Sequence, residues 1–416
     1  MGPPRPDPAR AAAAQRARRI VLVTSRPLVA AGDAVPAHRM AWSAAHGSDE
    51  SGESAPDSSS SSSSEEEEDA LSPCGGADAA RPSPRARKRL HREPSGTPRW
   101  AGRHAMTQSL MAACGLLRSV RVVEPRPASV KAMERFHDRD YLECLALAGG
   151  TAELPLSQLE RYGLVDDAAP FPHVDKHCAW VAGASLTAAE ELVRGRADVA
   201  INWAGGRHHA GRRRASGFCF VNDVVLSVLE LQRAFHRVLV LDVDVHHGDA
   251  VEHAFYHSPS VLTVSLHLRE PGFFPGSGAA ESTGEGLGEG FNVNVPLARG
   301  ESGAEFLRKL RAVLDEHWLR FAPGAVVLVC GADALRGDPR GGLLLSAADL
   351  EAAVADVLER ARQSGCRLLV LGGGGYRFAD CARAWARVTA LLAGARLPRD
   401  VPEHDYFELY GPDWLL

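Results

Sequence analysis

Five uninterrupted apolar runs constrain this chain more than any other feature. They are "ADVAINWAG" (197–205), "RVLVLDVDV" (237–245), "SVLTVSLH" (260–267), "AVVLVCGAD" (325–333) and "RLLVLGGGG" (367–375). Each is largely continuous, although Asp242 and Asp244 alternate with apolar residues at the end of the second, and each reads as a strand buried on both faces. Helical stretches separate several of them. One follows the capping box Ser302-x-x-Glu305. Another follows Ser346 and places Leu350, Val354, Val357, Leu358 and Ala361 on one side. Strands alternating with helices predict an α/β fold of three layers: a central, mainly parallel sheet with helices on both faces.

The chain is long enough, at 416 residues and 45% hydrophobic, to bury a large core; its formal charge of -5 argues neither for nor against a nucleic-acid partner, and no direct nucleic-acid site is evident. Eight scattered cysteines form no CxxC pair and read as reduced thiols rather than a disulfide framework or a cysteine zinc site. No apolar run is long enough to span a bilayer, and the polar N-terminus does not read as a secretory signal. Residues 1–19 read as a disordered Pro/Ala/Arg-rich arm, and residues 20–42 as a first strand and the start of the folded domain. Residues 43–98 hold seven consecutive serines, then "EEEED", then "RPSPRARKRLHR", and read as a disordered insertion. Residues 99–416 form the main domain.

In open parallel sheets, ligands bind beyond the carboxyl ends of the strands. The unusual polar residues fall there. His208 and His209 follow "INWAGGR", Asp244 and His246 close the second run, Asp333 closes the fourth, and Tyr376 follows the glycines of the fifth. A buried carboxylate without a partner costs several kcal/mol, so this cluster must be paired, protonated or bound to metal. Asp244, His246 and Asp333 make a three-ligand zinc site that leaves a position open for water. The spacing of Asp244 and His246 predicts an extended segment projecting both to one side.

Five segments carry a family resemblance: "INWAGGRHHAGRRRASGFCFVNDVV", "VLVLDVDVHHGD", "EPGFFPGSG", "CGADALRGDP" and "LGGGGYRFAD". They resemble the zinc-dependent histone deacetylases, class I most closely, which have the arginase/deacetylase α/β fold. The resemblance implies hydrolysis of the acetyl amide of N6-acetyl-lysine in proteins. Zinc, or ferrous iron, would sit on Asp244, His246 and Asp333. His209 would act as general base and then acid, with His208 tuning the charge beside it. Asp249 and Asp242 would pair with His209 and His208, and Tyr376 would donate to the developing oxyanion. Phe218 and Phe274 would wall a tunnel for the acyl-lysine stem, Gly217 would receive its N–H, and Asp167 at the rim would hold the peptide backbone. A structural potassium or sodium ion would lie among Asp242, Ser265 and the carbonyls of Asp244, His246 and Leu266. His247 would support the turn.

The chain departs from the family pattern in places. Arg207 precedes the histidine pair where class I members usually carry an aromatic residue, and Arg340 stands at a tunnel-rim position usually Leu or Met. Both are expected near the rim, where they would favour acetyl-lysines flanked by acidic residues, with Arg212, Arg213 and Arg214 adding to the field. Trp100, Pro339 and Ala379 replace the basic positions that bind inositol phosphate in complex-forming members, so that ligand is not expected. Two alternatives stay open: an amidohydrolase acting on acetylated polyamines, which an arginine at 340 opposes, and a non-enzymatic scaffold. "RARKRLHR" is compatible with nuclear import, with the cytoplasm as the alternative location.

Overall fold

The computed structural model describes residues 19–24 and 102–416. The arm expected over 1–19 (Arg19 apart), the insertion expected over 43–98 and position 100 lie outside the described residues. The chain opens with β1 (Ile20–Val23), α1 (Arg103–Ala113) and β2 (Arg121–Val123). Four helices follow: α2 (Val130–Met133), α3 (Arg139–Ala148), α4 (Leu156–Arg161) and the long α5 (Val174–Val193). Then come β3 (Val199–Asn202), α6 (Asp223–Leu231), β4 (Val238–Asp242), α7 (Asp249–Phe255), β5 (Val261–Leu268) and β6 (Asn292–Leu297). The chain continues through α8 (Gly303–Phe321), β7 (Ala325–Val329), α9 (Ala347–Ser364), β8 (Arg367–Leu371) and α10 (Phe378–Ala393).

The eight strands form one parallel sheet in the order β2-β1-β3-β8-β7-β4-β5-β6. Each central strand divides its side chains between two cores. Leu239 and Leu241 of β4 pack on one face with Phe306 and Leu310 of α8, Val354 of α9 and Trp385 of α10. Val238 and Val240 of the same strand pack on the other face with Tyr141 of α3, Cys178 of α5 and Val224 of α6. This double burial is why the strands read as unbroken apolar runs. The three-layer α/β expectation is met.

Both helix starts follow from their caps. Ser302 Oγ accepts from the Glu305 amide (3.3 Å). Ser346 and Asp349 form a reciprocal box, with Ser346 Oγ accepting from Asp349 N (3.2 Å) and Asp349 Oδ2 from Ser346 N (2.8 Å). Two strands are absent from the sequence reading. β2 is only three residues long, and β6, "NVNVPL", is an edge strand whose asparagines and Pro296 interrupt the apolar pattern. No helix among the described residues is long and apolar enough to cross a membrane.

Candidate active site

The four strands β3, β8, β7 and β4 are contiguous at the centre of the sheet, and the segments leaving their carboxyl ends carry the polar cluster. β3 leads to His208 and His209, β8 to Gly372–Gly375 and Tyr376, β7 to Asp333, and β4 to Asp244 and His246. The strands end sooner than the apolar runs. β4 stops at Asp242, so Asp244 and His246 do not share a side of an extended segment, as the spacing had predicted. They sit in a turn shaped by its own carboxylates: Asp242 Oδ1 accepts from Asp244 N, and Asp244 Oδ1 from His246 N, both at 3.0 Å. Aspartates that bond an amide two residues on favour such turns over pleated strand.

Asp244, His246 and Asp333 converge, with one potential ligand atom from each lying within 4.8 Å of the others. Both carboxylates are fully buried. His246 Nδ1 lies 3.1 Å from Asp244 Oδ1 and 3.1 Å from Asp333 Oδ2. Burial raises the Asp333 carboxyl to about 7, helped by the like charge of Asp244. Burial would also make the His246 ring neutral, but the two carboxylates overcome it and raise the ring to about 10. Two acids and an imidazole so enclosed call for a cation between them, and one nitrogen with two carboxylate oxygens is a donor set that suits zinc or ferrous iron. The residues fit a bound metal.

The glycines after β8 belong to this cluster. Gly374 N donates to Asp244 Oδ2 (2.5 Å), and a Cβ there would lie 1.8 Å from Asp333 Oδ2, so only glycine fits. Behind them, the buried Arg103 donates to the carbonyls of Gly375 (2.8 Å) and Gly373 (2.6 Å). Asp338 Oδ2 accepts from Tyr376 N (2.7 Å). The Tyr376 hydroxyl is raised well above its ordinary value by burial and by Asp333 and Asp244, so it stays protonated.

The two adjacent histidines have different partners. His208 Nδ1 is 2.6 Å from Asp242 Oδ2, and His209 Nδ1 is 2.8 Å from Asp249 Oδ1. Burial opposes charge on His208, but Asp242 and Asp244 outweigh it and raise the ring to about 9. Burial and the neighbouring His208 depress His209 to about 4. Near neutral pH the first is an imidazolium and the second a neutral base.

The expected tunnel residues assemble beside this pair. Gly217 and Phe218 both have positive φ (55° and 62°). A Cβ on Gly217 would meet His209 Cδ2 at 2.6 Å and Phe274 Cε1 at 2.9 Å. Phe274 stands edge-on to His209 with centroids 4.9 Å apart, and Phe218 lies 6.1 Å from Tyr376. Gly217 N donates to Asp167 Oδ2 (3.1 Å), tying the half-buried rim carboxylate to the tunnel wall. The Arg340 guanidinium lies 5.0 Å from the Phe218 ring and 5.3 Å from the Tyr376 ring, a double cation–π contact.

Arg207, expected near the rim with Arg340, is half-buried, with its Nε sealed from solvent. Gly206 N and Arg207 N both donate to Asp223, which anchors the segment that leads into the histidine pair. Arg212 and Arg213 both engage Asp138, which offsets one of their charges.

Some supporting residues are missing from the sequence reading. Phe273 stacks on His246 (5.1 Å between centroids, 3° between planes), and Arg103, Asp223 and Asp338 hold the loops. "EPGFFPGSG" does draw attention to the paired phenylalanines, but loop-anchoring acids look like any surface acid before the chain is folded. His247 supports the turn as expected, bridging Ser277 (2.8 Å) and Glu252 (3.0 Å).

Comparison with known proteins shows the family. Residues 97–392 match the family model for the histone deacetylase domain. The chain is 42% identical over 314 residues to histone deacetylase 8 of Xenopus tropicalis, covering 76% of this chain and 84% of that protein. Against histone deacetylase 8 of Danio rerio it is 42% identical over 316 residues, covering 76% and 82%. It is 38% identical over 323 residues to histone deacetylase RPD3 of Saccharomyces cerevisiae, covering 77% and 73%. With its family model matched over more than half its length, the chain belongs to the histone deacetylase family.

Proposed function

We propose that this protein hydrolyses the acetyl amide of N6-acetyl-lysine in proteins, histones among them, releasing acetate. The observation that carries the reading is the divided histidine pair facing the Asp244–His246–Asp333 cluster: one ring is held charged and the other neutral. A zinc or ferrous ion on those three residues supplies Lewis acidity toward the acetyl carbonyl and the attacking water.

The protein's own groups do the rest. His209, oriented by Asp249, takes a proton from the water and returns it to the lysine nitrogen as the C–N bond breaks. His208, kept protonated by Asp242, adds positive charge beside the carbon where negative charge grows. Tyr376 donates its hydroxyl proton in a hydrogen bond to the carbonyl oxygen as it becomes an oxyanion. Phe218 and Phe274 exclude water from the lysine stem, the Gly217 carbonyl receives its N–H, and Asp167 holds the substrate backbone. Asp242, Ser265 and the neighbouring carbonyls bind a monovalent cation, a role supported by the pairing of Asp242 with Ser265 across β4 and β5. The Arg340 charge at the rim favours acidic flanks around the acetyl-lysine and disfavours a cationic polyamine. We place the protein in the nucleus, and assign it no inositol-phosphate site.

The test is acetate release from an acetyl-lysine peptide by the full chain. Release should stop with a chelator and return with zinc. Folded, zinc-loaded protein that releases no acetate overturns the reading.

A further inference from the structure

Asp338 lies in the loop that leaves β7, beyond Asp333, and its carboxylate serves two loops at once. Oδ1 accepts from the amide of Arg340 (2.9 Å), in its own loop. Oδ2 accepts from the amide of Tyr376 (2.7 Å) and, more loosely, from that of Arg377 (3.4 Å), both in the loop after β8. The Asp338 carbonyl closes its own turn by accepting from Gly341 N (3.2 Å). Gly337, at a φ of 81°, brings the two loops together a second time, since a Cβ there would lie 2.6 Å from Arg377 Nη1.

The two residues so held have different work. Tyr376 follows four consecutive glycines, a stretch without side chains to fix its path. That stretch is pinned through its main chain instead. Arg103 donates to the carbonyls of Gly373 and Gly375, Asp244 accepts from the amide of Gly374, and Asp338 accepts from the amide of Tyr376 itself. Asp338 is therefore the last fixed point before the tyrosine ring. Arg340 hangs from the other oxygen of the same carboxylate, and its guanidinium folds back to lie 5.3 Å from that ring and 5.0 Å from Phe218. Amide bonds to a carboxylate are charge-assisted, so they fix direction as well as distance.

We infer that Asp338 is a positioning residue that sets the oxyanion donor and the rim cation through one carboxylate: Oδ2 aims Tyr376, and Oδ1 holds Arg340 at the tunnel mouth. This rests on the acyl-lysine hydrolase reading, and it gives that site one shared control over turnover and over preference for flanking charge. Asp338 itself touches no reacting atom. A misplacement of about 1 Å can cost ~10²-fold in rate, so the first role is read in kcat. The second is read in the ratio of rates on acidic and basic flanks. Asparagine separates the two roles, because its side chain has one acceptor oxygen where the carboxylate has two. The local bond to an amide two residues on is one that asparagine makes readily. Its NH₂ then faces the Tyr376 amide, and that anchor alone is lost.

The experiment uses the full-length, metal-loaded protein and acetyl-lysine peptides with acidic or basic flanks. Asp338→Asn should lower kcat by roughly 10–10²-fold at unchanged metal content and keep the flank preference. Asp338→Ala should lower kcat as far and erase the preference. The decisive comparison is made in Tyr376→Phe, where the hydroxyl to be aimed is gone: there Asp338→Asn should change kcat by less than about twofold. A full-sized loss in Tyr376→Phe, an unchanged kcat in the otherwise wild-type chain, or loss of metal with Asp338→Asn overturns the aiming role. If Asp338→Ala does not fold, the cycle with Asp338→Asn still decides that role. A flank preference that survives Asp338→Ala overturns the hold on Arg340. Peptide affinity, measured by fluorescence anisotropy on Tyr376→Phe, reads that hold without turnover: acidic flanks should bind more tightly, and adding Asp338→Ala should level the two. Wild-type protein that shows this Asp338-dependent binding but releases no acetate overturns the hydrolase reading and leaves the hold on Arg340 standing.

Discussion

His208 and His209 are neighbours in sequence with ring centroids 3.9 Å apart, and their protonation is driven in opposite directions. Asp242 and Asp244 hold a proton on the first, and the resulting charge helps to keep one off the second. The two rings therefore have unequal roles. His209→Ala should lower kcat by roughly 10²–10⁴-fold, the usual cost of losing a general acid–base group. His208→Ala should cost less, and should raise the pH at which His209 becomes protonated. Paired pH–rate profiles measure both effects. Equal losses with superimposable profiles would contradict the division.

In the proposed reaction Tyr376 and Asp333 would serve the same carbonyl by different means, so their variants should separate metal content from turnover. Tyr376→Phe should keep its metal and lose about 10²–10³-fold in kcat, the cost of one oxyanion donor. Asp333→Asn should lose most of its metal along with activity. Metal content per chain by mass spectrometry, set beside kcat, distinguishes them. Loss of metal in Tyr376→Phe would mean that its part is structural.

Arg340 should act on flanking charge alone. At a partly exposed rim a like or opposite charge is worth about 0.5–1 kcal/mol, a few-fold in rate per contact. Acetyl-lysine peptides with acidic flanks should outrun those with basic flanks by that factor, and Arg340→Leu should erase the difference. The preference should also shrink with added salt. A panel at fixed ionic strength in which both flanks react equally in the wild type would rule it out.

The fold should weaken in mild acid because of His137, whose partner Asn222 also donates to the carbonyls of His208 and Ala210. Its Nε2 accepts from Asn222 N (2.9 Å) and its Nδ1 lies 3.3 Å from the Arg212 carbonyl, an arrangement that suits only the neutral ring. Burial lowers it to about 4. The unfolded chain therefore takes up the proton more readily, so stability is full above about pH 6.5 and falls between there and about 4. A shift of this size is worth about 3 kcal/mol. Melting temperature against pH should show the decline, and His137→Gln should be less stable at neutral pH with a shallower acid limb. An unaltered slope would show that other groups govern it.

The sheet and its chemistry were legible for one reason: central parallel strands are buried on both faces and are followed at once by polar residues. Asp242, Asp244 and Asp333 stand out because acids are conspicuous in apolar runs, and His246 because it follows one directly. Asp223 and Asp338 were not legible, since they anchor loops through backbone amides that only the folded chain brings near. β6 was obscured by Asn292 and Asn294, whose side chains serve Glu252 rather than the core.

The turn after β4 and its surroundings divide labour between the two oxygens of a carboxylate. Asp242 gives Oδ1 to an amide and Oδ2 to His208; Asp333 gives Oδ1 to the amide of Val245 and Oδ2 to His246. Each acid is thus clamped to the main chain at one end while its other end does chemistry, so its torsion angles are settled before any ligand arrives. An asparagine substitution and an alanine substitution at such a position then ask different questions: the first can keep the clamp and change the charge, while the second releases the jig that holds the neighbouring side chain in line.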